Sequence, residues 1–326
     1  MKRPLVITAA VLLLLPACGP APRENEVDLP SESGIDPAQW AAVPQGPYPS
    51  GQHEEWVDLD YDYQIMITNV TNQQYAEYLN LALADGSLQL GEVEVHEGGE
   101  IHLVQGLSGD YPGDPFHGYE HEERILPGQK LHFSLEEADP RILFNENTFS
   151  SVPEYASHPV TMVTWFGAQA YCQYFGWKLP LEQEWEKAAR GTEVDGEYAL
   201  PFPWGEEIDS SYANYYSSYD LFEKILGKLG GTTPVGFYNG RTYQGFSTSD
   251  HASPYGLYDM AGNVWQWTGD DYPNQHYRYL RGGSYFSYEV DLRVWKRNSA
   301  APTYYAPDVG FRCARRGNWL EESPPP

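Results

Sequence analysis

Residues 256–265 of the 326-residue chain read Gly-Leu-Tyr-Asp-Met-Ala-Gly-Asn-Val-Trp, and two shorter stretches follow, Arg-Gly-Gly-Ser at 281–284 and Gly-Phe-Arg-Cys at 310–313. Each stretch contains glycine, which marks turns in a chain. The sequence between Gly191 and Gly310 is also rich in turn-forming and aromatic residues and has only short periodic runs. These features predict short elements joined by turns rather than long helices.

Composition excludes two classes of protein. The chain has 46 acidic and 20 basic side chains, a formal net charge of −26 and a sequence pI near 4.5. A nucleic-acid-binding protein needs clustered lysine and arginine to neutralise phosphates, so nucleic acid is not an expected partner. Hydrophobic residues make up 41% of the chain and aromatic residues 15%, which is enough apolar material for a packed core and excludes wholesale disorder.

The N-terminus has the pattern of an export signal. Two basic residues precede an apolar run from Leu5 to Leu15, which is too short for a bilayer that needs about 20 residues. The run ends in Leu-Pro-Ala-Cys, which resembles the bacterial lipobox apart from its proline. Residues 1–18 are therefore predicted to be a lipoprotein signal peptide with Cys18 lipidated. The alternative is an ordinary signal peptide cleaved near Ala17, which would leave Cys18 as a free thiol.

The export signal also predicts where the protein acts. Residues 19–50 are rich in proline and polar residues and are predicted to form a tether. No later segment is long and apolar enough to cross a membrane, and residues 318–326 are predicted to be a disordered tail. We therefore expect an exported protein of the cell envelope, bound to the bacterial outer membrane through its lipid anchor.

Two cysteines remain after Cys18, namely Cys172 and Cys313. A pair of cysteines in an exported chain favours a disulfide. The alternative is two separate buried thiols.

Periodic stretches predict several regular elements. The predicted strands cover 57–67 and 158–165, and the predicted helices cover 69–83, 166–176 and 181–190. The last helix has glutamates early and basic residues late, as the helix dipole favours. Between about residues 86 and 153, glycines separate short alternating runs, which predict a β-rich insertion.

Seven motifs of the chain resemble those of the formylglycine-generating enzyme (sulfatase-modifying factor) family. Besides the three stretches above, they are His-Pro-Val at 158–160, Lys-Leu-Pro at 178–180, Glu-Trp-Glu-Lys-Ala-Ala-Arg-Gly at 184–191 and Pro-Trp-Gly at 203–205. The motifs follow the family's order over most of the chain. The resemblance implies one domain, residues 51–317, with an α+β fold of the elaborated C-type-lectin-like kind and much irregular structure.

The resemblance also assigns roles to cysteines. The family's disulfide joins the positions that Cys172 and Cys313 occupy. Its active members bind copper(I) through two cysteines shortly after Arg-Gly-Gly-Ser and use dioxygen to oxidise a substrate cysteine to formylglycine. In this chain Ser287 stands at the first of those positions, and no sulfur lies between Ser284 and Cys313. Because copper(I) selects thiolate ligands, neither copper nor the formylglycine reaction is expected, and no catalytic residue is assigned.

Calcium is the second metal that the resemblance implies. One family site maps onto Asp259, Gly262, Val264 and Gln266, which offer two side chains and two backbone carbonyls. Gln266 replaces the family's usual glutamate and so removes a negative charge from the site. The alternative to a calcium site is that this segment belongs to the aromatic core of the domain. A second family site begins at Asn214 and Tyr215, with Asp220 and Phe222 as candidates, although the residues after Tyr215 depart from the family in length.

The favoured function is a non-catalytic binding or structural component of a cell-envelope assembly, in which the groove of the fold is kept and its copper chemistry is lost. Tyrosine and tryptophan make good anchors because they bury a large area at a small cost in entropy. The candidate binding surface lies in the aromatic-rich stretch from Tyr285 to Asp308, which includes Phe286. Its candidate residues are Ser284, Tyr285, Tyr288, Tyr304 and Tyr305, whereas Trp295 is assigned to the core. The partner is expected to be a protein, a peptide or a glycan.

The alternative function is an oxidative enzyme of the wider superfamily. Some relatives without the cysteine pair are oxidative enzymes, including a non-haem iron type. Iron would need a cluster such as two histidines and a carboxylate. In the matched region from residue 158 onward the histidines are His158, His251 and His276, and no spacing unites them. A true formylglycine generator is a third hypothesis, which the missing cysteines oppose.

Overall fold

Three helices and sixteen short strands form the regular structure in the computed structural model, which describes residues 29–53, 55–97, 100–137, 140–192, 200–222, 231–271 and 276–317. The helices are α1 (Asn72–Ala84), α2 (Trp165–Tyr174) and α3 (Glu182–Arg190). The strands are β1 (Trp40–Val43), β2 (Gly46–Ser50), β3 (Glu55–Leu59), β4 (Tyr63–Met66), β5 (Gln89–Glu97), β6 (Glu100–Tyr111), β7 (Gly128–Ser134), β8 (Ile142–Asn145), β9 (Thr148–Ser151), β10 (Thr242–Tyr243), β11 (Phe246–Ser247), β12 (Trp265–Asp271), β13 (Arg278–Arg281), β14 (Arg297–Ala300), β15 (Val309–Phe311) and β16 (Ala314–Arg316). This mixture confirms the α+β fold with much irregular structure. Over these described ranges, none of the helices combines the length and the apolar character that crossing a membrane requires.

A four-stranded sheet brings the three C-terminal motifs together. Its strand order is β14-β13-β12-β15, and β12 pairs antiparallel with β13 and parallel with β15. Gln266 lies opposite Arg281 on one side, and Trp267 lies opposite Phe311 on the other. Motifs that are far apart in the sequence thus become neighbours in one sheet.

Helix α1 begins where the sequence supplies a complete cap. The Oγ1 of Thr71 accepts a hydrogen bond from the backbone N of Gln74 at 3.2 Å, and the side chain of Gln74 accepts one from the backbone N of Thr71 at 2.9 Å. The buried face of α1 packs into the main apolar cluster through Tyr75 and Tyr78. The predicted helix is confirmed, and this cap moves its start to Asn72.

A disulfide joins α2 to the C-terminal strands. Cys172 is bonded to Cys313 with an S–S distance of 2.03 Å. Both cysteines are fully buried within the main apolar cluster. The pairing that the family resemblance implied is confirmed.

Helix α3 is charged and yet buried. Its glutamates Glu182 and Glu186 pair with the Arg281 guanidinium at 2.7 and 2.9 Å, and Arg281 is fully buried at the end of β13. Arg190 pairs with Glu186 at 3.0 Å. Because an unpaired buried charge is very costly, this network holds α3 against the four-stranded sheet.

Residues 40–50 were predicted to lie in the tether, and this prediction is wrong. They form β1, which pairs with β4, and β2, which pairs with β3, and Val43 is fully buried. The Nζ of Lys187 donates to the carbonyls of Pro44 and Gly46 at 2.6 and 2.7 Å. The prolines and glycines that suggest a tether therefore present carbonyl groups to the cations of α3. The folded domain begins before residue 40.

The remaining domain predictions concern the insertion and the two ends. The region of about 86–153 contains β5 to β9 and is β-rich as expected. Residues 1–28 and 318–326 lie outside the described residues. The signal peptide, the lipidated Cys18 and the disordered tail stay predictions.

Candidate functional site

A cleft of about 390 Å³ lies where β13 runs into the Arg-Gly-Gly-Ser turn. We call it the serine cleft. Its lining residues are Trp265, Ser284, Phe286, Ser287, Asp291, Lys296, Arg297, Asn298 and Asp308. They come from the start of β12, the turn after β13, the beginning of β14 and the loop before β15, so the four-stranded sheet sets the position of every wall.

The turn into the cleft requires glycine. Gly282 and Gly283 have φ angles of 93° and 71°, which only glycine adopts without strain. A Cβ atom at Gly283 would lie 2.9 Å from Leu292 Cδ1 and 3.1 Å from the Asp291 carbonyl oxygen. The two glycines therefore reverse the chain tightly and place Ser284 at the base of the cleft.

Two serines and an aspartate form a hydrogen-bonded group there. The hydroxyl of Ser284 donates to Asp308 Oδ2 at 2.7 Å, and the backbone N of Ser284 donates to Ser287 Oγ at 3.0 Å. Burial raises the pKa of Asp308, while the Ser284 hydrogen bond opposes that shift. The lining residues of the cleft include no histidine, and the carboxylate of Asp308 is the acidic group that Ser284 contacts. The group suits recognition by hydrogen bonds.

The residues of the candidate binding surface differ in their exposure to solvent. Tyr288 and Tyr304 are 60% and 40% exposed, and Ser284 is buried but lines the base of the serine cleft. Tyr285 is buried, so its assignment to the binding surface is wrong. The Tyr285 hydroxyl donates to the Pro307 carbonyl at 3.2 Å, and burial raises the pKa of this side chain to about 12.

Tyr304 and Tyr305 of that surface lie against the insertion. Tyr305 packs against the insertion's apolar cluster, which includes Val93 and Leu131. Tyr304 lines a separate cleft of about 660 Å³ between the insertion and the loop after β14. Phe286, which belongs to the predicted surface, is 52% exposed at the edge of the serine cleft. Sequence reasoning did not single out the cations of the serine cleft, Lys296 and Arg297. The basic run Arg-Val-Trp-Lys-Arg at 293–297 was the available signal for those cations.

The calcium site predicted at Asp259, Gly262, Val264 and Gln266 does not fit the structure. The Gln266 Oε1 accepts hydrogen bonds from Trp185 Nε1 at 2.9 Å and Arg312 Nε at 2.8 Å, and its Nε2 donates to the Asp259 carbonyl at 2.7 Å. A calcium ion on that amide oxygen would have to displace these donors and would lie beside a guanidinium cation. Burial raises the pKa of Asp259 to about 6, and its Oδ2 already accepts a hydrogen bond from the backbone N of Gly236 at 2.8 Å.

The second predicted set, which begins at Asn214, fits calcium better. Asn214 is buried, its Nδ2 donates to the Gly231 carbonyl at 2.8 Å, and its Oδ1 has no hydrogen-bond partner in the described part of the chain. Asp220 is fully buried in the same loop and accepts a hydrogen bond from the backbone N of Phe222 at 2.8 Å. Amide and carboxylate oxygens of this kind are the donors that calcium prefers.

The histidines that an iron site would need lie in separate places. His158 is buried and bonds Thr232 Oγ1 at 2.9 Å, His251 packs on Tyr212, and His276 is partly exposed and pairs with Glu123 at 2.8 Å. Among the residues that the structure describes, no three histidine, cysteine, aspartate or glutamate side chains are grouped to hold a metal ion.

Comparison with known proteins assigns the chain to one protein family. The family model of the sulfatase-modifying factor enzyme 1-like domain matches residues 28–317. This protein belongs to that family.

Individual relatives agree with this assignment. The serine/threonine-protein kinase pkn1 of Chlamydia caviae is 39% identical over 195 residues, which are 54% of this chain and 27% of that protein. The inactive C-alpha-formylglycine-generating enzyme 2 of Bos taurus is 35% identical over 173 residues, which are 51% of this chain and 52% of that one. The chain thus spans about a quarter to a half of the length of these relatives. PvdO from Pseudomonas aeruginosa, a solved structure, shares the fold with a TM-score of 0.51 and 19% identity over 85% of this chain and 94% of that one.

Proposed function

We propose that this protein is an exported lipoprotein, attached through Cys18 to the bacterial outer membrane, whose domain is a non-catalytic binding or structural component of a cell-envelope assembly. The serine cleft holds a protein, peptide or glycan partner and performs no oxidation. Support for export and lipidation comes from the N-terminal sequence, where a short apolar run ends in Leu-Pro-Ala-Cys.

One observation carries the non-catalytic part of the proposal. Ser287 stands at the first position of the family's copper-binding cysteine pair, and its hydroxyl oxygen accepts a hydrogen bond from the Ser284 backbone N. The two cysteines of the domain, Cys172 and Cys313, are held in a buried disulfide. A copper(I) ion therefore finds hydroxyl and carboxylate oxygens in the cleft instead of the thiolates that it selects. The name of the Bos taurus relative, an inactive enzyme, is consistent with such a loss in this family.

The alternative is an oxidative enzyme, since the family is named for an enzyme. Such an enzyme would have to bind its metal through ligands other than a cysteine pair. The separation of His158, His251 and His276 argues against a non-haem iron centre built from them.

Calcium is proposed as a structural cofactor of this domain, held by the loop that contains Asn214 and Asp220. A calcium ion would satisfy the buried amide oxygen of Asn214, and the buried carboxylate of Asp220 in the same loop is a donor of the kind that calcium prefers. Its expected role is to fix this loop, and no chemical step depends on it.

Metal analysis combined with thermal unfolding tests both proposals. We expect the purified full-length protein to carry calcium and neither copper nor iron. Chelation should lower the melting temperature by about 5 °C, because a ligand present at about 100 times its dissociation constant stabilises by about 2.7 kcal/mol. The Asp220→Asn variant should lose this response to chelation, and the Asp259→Asn variant, which changes another buried aspartate, should keep it.

Two results would count against these proposals. Stoichiometric copper or iron would contradict the non-catalytic function. A melting temperature that chelation does not change would contradict the calcium proposal.

A further inference from the structure

A second cleft, of about 520 Å³, adjoins the serine cleft. We call it the basic cleft. Its lining residues are Ser50, Gly51, Gln52, His53, Glu55, Val290, Arg293, Trp295, Lys296 and Arg297. Lys296 and Arg297 line both clefts, so an extended ligand can pass from one to the other across these two side chains.

The cations of the basic cleft can take a new partner at small cost. The guanidinium of Arg293 lies over the Trp295 ring at 5.9 Å, with no ion pair to any residue that the structure describes. Lys296 pairs with Asp291 at 3.5 Å, and both side chains are partly exposed, so this pair is weak. Arg297 pairs with Glu182 at 2.9 Å, but the same carboxylate oxygen also accepts from Arg281. Glu182 therefore stays paired when Arg297 turns to a ligand.

Hydrogen bonds from helix α3 fix the segment 49–51, which forms one wall of the basic cleft. The guanidinium of Arg190 donates to the carbonyls of Pro49 and Gly51 at 2.7 and 3.0 Å, and the backbone N of Gly51 donates to Glu186 Oε1 at 2.7 Å. Arg190 also lies 5.6 Å from the centre of the Trp295 ring. A wall that is already ordered costs little to fix on binding, which favours affinity.

We propose that the basic cleft binds an acidic segment of an extended polypeptide whose neighbouring residues occupy the serine cleft. This inference rests on the proposed binding function and defines the chemistry of the partner. Arginine presents a planar fork that matches a carboxylate, and three cations lie side by side on a chain whose net charge is −26. Most of this surface repels a polypeptide rich in aspartate and glutamate, so the cations of the basic cleft set where it docks.

The serine cleft favours a polypeptide over an acidic glycan. Its edge carries the exposed ring of Phe286, which can pack on an apolar side chain, and its lining includes Asn298 and Asp308, which can bond peptide groups. Acidic groups border the strip formed by Arg293, Lys296 and Arg297 and narrow the attractive region. Glu55 and Asp291 line the two clefts, Glu182 pairs with Arg297, and Glu206, Glu207 and Glu289 line a further cleft together with Arg293.

Peptide binding to the full-length protein tests the inference. Fluorescein-labelled hexaglutamate should bind in a fluorescence anisotropy titration, hexaglutamine should not, and added salt should weaken binding because exposed charges are screened. The Arg293→Gln/Lys296→Gln double variant should bind hexaglutamate about tenfold more weakly, as expected for the removal of two contacting charges. The matched control is Arg124→Gln/Lys130→Gln, which removes the same charge outside the two clefts and should leave binding unchanged.

Three outcomes would overturn the inference. The first is that hexaglutamate binds no better than hexaglutamine. The second is that both double variants weaken binding equally. The third is that a sulfated polysaccharide such as heparin binds through Arg293 and Lys296 while hexaglutamate does not. If any of these occurs in a protein that carries no redox metal, the inference fails and the proposed function stands. Stoichiometric copper or iron removes the proposed function whatever the peptide result.

Discussion

The Arg281→Met variant is expected to lose about 3–5 kcal/mol of unfolding free energy, as is typical when one partner of a buried ion pair is removed. Arg281 is fully buried and contacts Glu182 at 2.7 Å, Glu186 at 2.9 Å and the Val294 carbonyl at 2.6 Å. Methionine fills much of the volume but leaves two carboxylates short of their shared cation. Urea unfolding followed by tryptophan fluorescence measures the loss.

The control for Arg281 lies at the outer edge of the same network. Arg297 also pairs with Glu182, but its side chain is about half exposed, so Arg297→Gln should cost no more than about 1 kcal/mol. Equal losses for the two variants would show that burial does not govern the strength of this network.

Removal of the disulfide has the second large expected effect. The Cys172→Ala/Cys313→Ala variant frees a loop of 141 residues in the unfolded chain, which the chain-entropy model values at about 5 kcal/mol at most. Alanine also leaves small cavities in the main apolar cluster, where both cysteines are buried. Urea unfolding should show the loss, whereas Cys18→Ser, which changes a cysteine outside the residues 28–317 that match the family model, should leave the midpoint unchanged. A double variant as stable as the wild type would contradict this expectation.

Local signals and motif order predicted the three helices and the fold class, whereas the strand predicted over 158–165 forms only isolated bridges at Pro159 and Val163. The capping pair Thr71 and Gln74 begins α1 within three residues of the predicted start, and the charges of α3 follow the helix dipole. The order of the family motifs implied the fold class and the Cys172–Cys313 bridge. Each of these signals is either local in the sequence or shared by the whole family.

The errors share a physical cause, which is pairing between distant parts of the chain. Lys187 and Pro44 are 143 residues apart, so no periodic pattern shows that residues 40–50 are folded against α3. Gln266 resembles a calcium ligand until Arg312, 46 residues away, is seen to donate to its amide oxygen. The burial of Tyr285 depends on a turn that packs against the loop before β15. Such contacts between distant residues cannot be read from a single sequence.

The loss of the cysteine pair and the retention of a shaped cleft together define the functional proposal. Hydrogen bonds join Ser284 to Ser287 and to Asp308 and order the base of the cleft. Exposed side chains at its edge, such as Phe286 and Lys296, then remain available for a partner. Under the functional proposal, this chain is a binding member of a family that is named for an enzyme.

Site-specific photo-crosslinking in intact cells tests this proposal most directly. A photoreactive amino acid replaces Phe286 at the edge of the serine cleft, or Leu81 on the exposed face of α1 as the control, since both side chains are about half exposed. We expect position 286 to give a discrete adduct that position 81 does not give, and we expect the Arg293→Gln/Lys296→Gln background to reduce it. The same adducts from both positions, or none from position 286, would contradict a binding function for the cleft.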